Sequence, residues 1–195
     1  MPIIWVHNRL LLRLADTMFK RRNQQILILD IDSTQADTYG KQESASYNAH
    51  YGIDGFHPIL IFDSITGILL AVKQRPGNVY TSRDADEFLR PLLKHYQKFS
   101  CDMNILVRGD SGFATSTIYD LCEETGCQFL VKLKHNSRLT DLVQHQVTYD
   151  DNTDFSMAET QIFELDYQVE TWLKPYWVAA QDTRNGGSLF MTTSQ

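Results

Sequence analysis

The sequence predicts an α/β protein, a mixed sheet followed by a β-rich segment, and three observations point there. Two apolar runs end in carboxylates: Ile26-Leu27-Ile28-Leu29 before Asp30 and Asp32, and Ile105-Leu106-Val107 before Asp110. Two further β-rich runs, 57–62 and 68–73, are separated only by Asp63-Ser64-Ile65-Thr66-Gly67, a hairpin connection with a glycine in its loop. Helical periodicity separates the later runs, and strands joined through helices are normally parallel.

Each element follows from its own pattern. Leu10, Leu11, Leu12, Leu14, Met18 and Phe19 recur at roughly helical spacing, so residues 4–22 read as an amphipathic helix. Residues 25–32 are the first strand, and a polar loop rich in Gly, Tyr and Ser runs to about residue 54. The hairpin comes next and Pro76-Gly77-Asn78 ends it. Thr81 or Ser82 is the expected cap of a helix to Phe99, whose apolar face is Ala85, Phe88, Leu89, Leu92 and Leu93. The second aspartate strand spans 103–109, a helix spans 115–125 and stops at Gly126, and 129–133 is another strand. From about 142 the pattern turns to β runs at 161–169, 177–180 and 189–192, with no helix. Asp63 suits a turn, and Asp84 and Asp86 suit the first turn of a helix, so none of the three calls for a catalytic role.

Composition narrows the class. The 195 residues suffice for one core with a smaller appended unit. The expected division is a leading helix over 1–24, a core over 25–140 and a β-rich insertion over 141–195. With 43% hydrophobic and 22% charged residues, the chain reads as an ordinary soluble globular protein. No run reaches the roughly 18 apolar residues of a membrane span. No small-residue cleavage site follows a basic start, so a cytoplasmic location is expected. Cys101, Cys122 and Cys127 are odd in number and lack C-x-x-C spacing, as befits thiols in a reducing compartment. The net charge of −6 argues against a free-standing nucleic-acid binder. It is unevenly spread: residues 1–25 carry +4, which leaves −10 on the remainder. Lys132, Lys134 and Arg138 form a second basic cluster. Either cluster is a candidate for phosphate contact, or simply a solvated face.

The resulting order, β-β-β-α-β-α-β and then a β-rich segment, is that of the ribonuclease H-like fold. In that fold the first and fourth strands are neighbours, which would set Asp32 beside Asp110. Strand ends that deliver carboxylates suit a hard divalent cation, which takes oxygen ligands and is commonly held by one or two carboxylates plus substrate phosphates. Asp30, two residues before Asp32, points to the same side of the strand. It is either an accessory ligand or a satisfied polar neighbour.

At these residues the chain resembles a known family. Leu29-Asp30-Ile31-Asp32-Ser33-Thr34, Gly55-Phe56-His57-Pro58, Arg75-Pro76-Gly77-Asn78 and Arg108-Gly109-Asp110-Ser111-Gly112-Phe113 resemble the DDE transposases of bacterial insertion sequences. The likeness is to the IS1380 type within the IS4-like class and covers most of residues 5–193. It implies a triad of two aspartates and a glutamate holding two Mg²⁺ or Mn²⁺ ions, with Asp32 and Asp110 as the aspartates. It also implies cut-and-paste chemistry on DNA, transposon ends and target, within a synaptic homodimer. The family's glutamate lies in a Tyr-x-x-Arg-x-x-x-Glu pattern on a helix after a β-rich insertion, and no such pattern occurs here. Glu159, Glu164 and Glu170 fall in the expected insertion and are poor candidates. The expectation is therefore a central portion of a transposase, inactive by itself.

Two other readings compete. Asp30-Ile31-Asp32-Ser33-Thr34 also fits the Asp-x-Asp-x-Thr loop of haloacid dehalogenase-like phosphatases, with Asp30 as nucleophile and Asp32 as general acid/base. The hairpin after the first strand argues against it, because that fold needs parallel strands there. The non-enzymatic reading is a transposase remnant that folds and does not cut. Among lesser candidates, Arg75 and Arg108 could approach DNA phosphate or serve as local charge partners, and Asn48 has the first option too. His50 and His57 lack the further ligands of a zinc site and read as hydrogen-bonding residues. Tyr167, Trp172, Tyr176 and Trp177 could stack on bases but are expected to pack a core.

Overall fold

The computed structural model describes residues 3–40, 42–100, 103–148, 159–184 and 190–194, with the backbone alone for 3–7, 184 and 190–194. Helix α1 (Ile3–Arg22) leads into strand β1 (Ile26–Ser33). Three short strands follow, β2 (Ala36–Asp37), β3 (Ser46–Asn48) and β4 (Ile53–Phe56), and then the hairpin β5 (Ile59–Asp63) and β6 (Ile68–Lys73). Helix α2 (Ala85–Phe99), strand β7 (Asn104–Gly109), a single 3₁₀ turn (Ser111–Phe113), helix α3 (Ser116–Glu124) and strand β8 (Gln128–Lys132) complete the alternating part. Helix α4 (Ser137–Gln144) precedes β9 (Glu159–Tyr167), β10 (Tyr176–Arg184) and β11 (Phe190–Ser194).

The main sheet has eight strands in the order β6-β5-β1-β7-β8-β11-β10-β9. β5 is antiparallel to β1 and to β6, whereas β1, β7 and β8 run parallel. The fold is mixed α/β with a mixed sheet, as the sequence predicts, and a parallel strand does not follow β1 directly as a phosphatase of the competing kind would need. Residues 141–195, expected as an insertion, send β11 alongside β8 and extend the same sheet. The physical gain is that β8 does not end the sheet as an unpaired edge.

Burial alternates along the central strands and defines two faces. Leu27, Leu29, Ile31, Ile105, Val107, Phe129 and Val131 are buried. They meet the helices: Tyr119 of α3 stacks on Phe129 at 4.8 Å, and Tyr96 of α2 lies 5.7 Å from Phe19 of α1. Asp16 of α1 and His95 of α2 are paired at 3.0 Å. The other face carries Ile28, Asp30, Asp32, Leu106 and Arg108, all half-buried or exposed. Among the described residues no helix is long and apolar enough to cross a membrane.

Three details depart from the sequence reading. The loop expected over 33–54 contains a small sheet of order β2-β4-β3, too short-stranded to show as alternation. Helix α4 was not anticipated, yet Asn136 caps it by accepting a hydrogen bond from the Leu139 N–H at 3.0 Å, and Leu139 and Val143 are buried one turn apart. Helix α2 begins at Ala85, after a left-handed Asp84 (φ 55°), and not at a Thr81 or Ser82 cap. The reason is the buried Arg75 guanidinium, which holds the carbonyls of Thr81 and Arg83 in a turn.

Candidate functional site

Parallel pairing of β1 with β7 sets Asp30 opposite Arg108 and Ile31 opposite Gly109. One residue beyond that last pair, Asp32 and Asp110 stand at neighbouring strand ends, and both are exposed. Each has one oxygen secured by the local backbone: the Ser33 N–H donates to Asp32 Oδ1 at 2.7 Å, and the Gly112 N–H to Asp110 Oδ1 at 2.9 Å. Asp110 thus caps the 3₁₀ turn 111–113, an arrangement that fixes its side chain without using both oxygens. Gly109 packs closely beneath it: a Cβ there would lie 3.1 Å from Ile31 Cγ2 and 3.2 Å from Phe113 Cβ, so those neighbours would have to give by a few tenths of an ångström.

Asp30 occupies the next row back and is engaged by Arg108 on both oxygens, Nε to Oδ1 and Nη2 to Oδ2. Arg108 also donates to Ser64 Oγ at 2.8 Å. The hydrogen bonds to Asp30 raise the guanidinium pKa above its ordinary value. Both residues are thus engaged in a local pair, one of the two options the sequence leaves open for each. The same pairing occupies the carboxylate that a phosphatase mechanism would use as nucleophile.

Arg75 is held inside the fold. It is only 3% exposed, and its Nε donates to His57 O at 2.9 Å while Nη1 donates to Thr81 O at 2.9 Å and Arg83 O at 3.2 Å. Burial lowers its pKa, with Asp84 opposing that shift. So placed it pins loops together. Lys132 ends β8, one residue beyond the Gly109–Val131 pair, and so stands on the strand next to Asp110; Lys134 is exposed two residues on.

The two glycine motifs explain each other. Phe56 and Pro76 form an antiparallel bridge, His57 N–H donates to Arg75 O at 2.9 Å, and Gly77 N–H donates to Gly55 O at 3.0 Å. A Cβ on Gly77 would sit 2.3 Å from Ser46 O and 2.7 Å from Gly55 O, so only glycine lets this loop lie on the small sheet. The Asp110 turn then packs against the same loop through Gly112, where a Cβ would meet Thr81 Cγ2 at 2.7 Å. Between them opens a cleft of about 470 Å³ that includes Ser33, Tyr47, Tyr51, Asn78, Tyr80 and Asp110 in its wall. The tyrosines are residues that sequence reading missed. Only the fold brings 47–51, 77–81 and 110 together.

Other candidates fall elsewhere. Tyr167, Trp172 and Tyr176 are buried and pack edge-on against one another and Tyr119, as core residues do; Trp177 is 39% exposed. His57, by contrast, is buried in the wall of the cleft itself, as His50 also lines it, with His57 Nδ1 at 2.9 Å from Val79 O. Glu159 and Glu164 lie on β9, the edge strand, with β7, β8, β11 and β10 between them and β1. Glu170 lies in the connection from β9 to β10. Among the described residues no group of three or more His, Cys, Asp or Glu is placed to hold a metal.

Solved structures with some likeness of chain path include transposases. The piggyBac transposase synaptic complex with hairpin DNA has a TM-score of 0.47 at 10% identity, covering 86% of this chain and 33% of that one. The Mos1 mariner paired-end complex with Mn has a TM-score of 0.38 at 12% identity, covering 71% and 47%. The catalytic domain of Mos1 mariner transposase has a TM-score of 0.37 at 12% identity, covering 75% and 74%. The chain thus spans about a third of the piggyBac chain. No curated protein matches it in sequence. A family model described as the transposase DDE domain, group 1, matches residues 5–193, nearly the whole length, and the protein belongs to that family.

Proposed function

We propose that this chain is the core of an insertion-sequence transposase, of the IS1380 type within the IS4-like class, in which Asp32 and Asp110 hold divalent metal for DNA strand cleavage and strand transfer. The observation that carries the reading is the pair itself: two exposed carboxylates at adjacent ends of parallel strands, each with one oxygen tied to a backbone N–H. The donor set fits Mg²⁺ or Mn²⁺, since a hard cation accepts one or two carboxylates and fills its remaining positions with water and phosphate oxygens. When bound, two such ions supply an activated nucleophile and charge stabilisation at the leaving oxygen of an in-line phosphodiester displacement.

The chain's own contribution is placement. Hydrogen bonding from the Ser33 and Gly112 N–H groups holds each carboxylate in place, which limits the reorganisation needed when metal and DNA arrive. The Asp30–Arg108 pair locks the register one row behind. Lys132 and Lys134 contact phosphate, and transposon-end and target DNA are brought together in a homodimer. The third ligand is the glutamate that the family pattern places on a later helix. Because no described acid completes the pair, the 195 residues bind metal and do not cut DNA by themselves.

Titration of the 195-residue chain with Mn²⁺, followed by electron paramagnetic resonance with and without duplex DNA, tests this. Binding should be lost or weakened at least tenfold in both Asp32→Asn and Asp110→Asn with folding intact. Equal binding by wild type and both variants would remove the basis of the reading.

A further inference from the structure

The cleft beside Asp110 has a composition that phosphate binding does not explain. Among the described residues no Lys or Arg lines it, whereas a groove that tracks a nucleic-acid backbone is cationic. Its wall instead presents three tyrosines that the fold leaves in solvent: Tyr47 is 58% exposed, Tyr51 50% and Tyr80 70%. Tyrosine rings left open around a concave site, with polar groups between them, are a surface for a flat ring with hydrogen-bonding edges.

The scaffold beneath these rings is built from buried polar groups. Asn48, 6% exposed, accepts hydrogen bonds from the N–H groups of His50 and Tyr51 at 2.9 and 3.3 Å, which fixes the turn that carries Tyr51. His57, 6% exposed, is bonded to Val79 O, and Arg75 binds the carbonyls of Thr81 and Arg83. The segment that carries Tyr80 is thereby held from both sides. Three polar side chains are buried for the sake of two loops whose tips are exposed aromatics. Such an arrangement makes a preformed binding wall, where little ordering remains to be done on binding.

We infer that the cleft takes a nucleobase from the DNA strand next to the reacting phosphate, stacked on Tyr51 or Tyr80. The inference rests on the proposed DNA-cleaving role of Asp32 and Asp110. Position supports it, because Asp110 and Ser33 form one end of the cleft and Gly112 packs on Thr81. A phosphate at the carboxylate pair would leave its neighbouring nucleoside at the cleft mouth. Asn78, exposed in the same wall, supplies an amide for the base edge. A pairing-competent base reaches such a site only after it leaves the stack, so a frayed or unpaired end is the form bound.

The test uses the full 195-residue chain and a short duplex with an unpaired end carrying 2-aminopurine, in Ca²⁺. Stacking on tyrosine should quench the probe at the unpaired end and not at an internal paired position. Tyr80→Ala or Tyr51→Ala should weaken binding of that DNA roughly tenfold. Tyr80→Phe should restore it, because the ring and not the hydroxyl does the stacking. An abasic residue at the probe position should bind as weakly as the alanine variants. Both tyrosines are largely exposed, so unchanged melting temperatures should verify folding. If the DNA binds but the probe, the abasic end and the tyrosine variants all make no difference, the base site is wrong while the metal-site reading stands. If the chain binds none of these DNAs, both fall together.

Discussion

Asp30 and Arg108 face each other across the parallel strands β1 and β7, joined by two hydrogen bonds of 2.6 and 2.7 Å. Their exposure, 32% and 46% of the side chains, keeps the pair in partial contact with water. A two-pronged ion pair in that setting contributes about 1 kcal/mol at most. Arg108→Ala should therefore lower unfolding free energy by no more than about 1 kcal/mol, and a double-mutant cycle with Asp30→Ala should recover most of it as coupling. The larger effect should fall on Mn²⁺ affinity, through the alignment of Asp32 with Asp110. Because its charge is already matched, Arg108→Ala should leave the salt slope of DNA binding unchanged. A slope smaller by about one unit would reveal a phosphate contact instead.

Arg75 should behave as a structural residue. Arg75→Leu removes donors from at least three buried or half-buried carbonyls, with an expected cost of about 3 kcal/mol. Thermal or urea unfolding would measure it. Lysine should rescue only part of the loss, because one ammonium cannot reproduce the spread of a guanidinium fork. Undiminished stability with weaker DNA binding would return Arg75 to the surface role read from the sequence.

Two glycines should respond differently to alanine. At Gly77 the new Cβ would press on two backbone oxygens, at 2.3 and 2.7 Å, neither of which can swing away. Gly77→Ala should cost roughly 2–4 kcal/mol. At Gly67 nothing lies within 4 Å, and only the left-handed φ of 72° opposes a side chain. Gly67→Ala should cost about 1 kcal/mol. Equal losses in the two unfolding curves would contradict the packing of 76–78 on the small sheet.

The buried thiols should be inert. Burial pushes the Cys122 thiol up to about 12 and also raises Cys127. Peptide mapping after iodoacetamide treatment of the folded protein at mildly alkaline pH should find both unmodified, and modification should appear only on unfolding. A thiol pKa higher in the folded chain has a defined pH consequence. Its stabilising contribution is complete below the ordinary value near 9, and it is lost as pH rises from there toward 12. Melting temperatures should fall over that alkaline range, and less steeply in Cys122→Ala after allowance for its lower starting stability.

By itself the sequence determined the alternating core and its two carboxylate strands. The apolar runs at 26–29 and 105–107 and the helical stripe from Ala85 to Leu93 are periodic over enough residues for local pattern to dominate. It also brought Asp32 and Asp110 forward, because each stands at the end of an apolar run within a motif, Asp32-Ser33-Thr34 and Arg108-Gly109-Asp110-Ser111-Gly112-Phe113, that is longer than a turn alone needs. Tertiary structure decided the rest. Strands of two to four residues such as β2, β3 and β4 bury too little to show a period. Whether Arg75 meets water or a set of carbonyls depends on a loop closed by Gly55 and Gly77, 22 residues apart. The tyrosine-walled cleft exists only where three distant loops converge, and side-chain exposure at such a junction is a property of the packed molecule that no local pattern encodes.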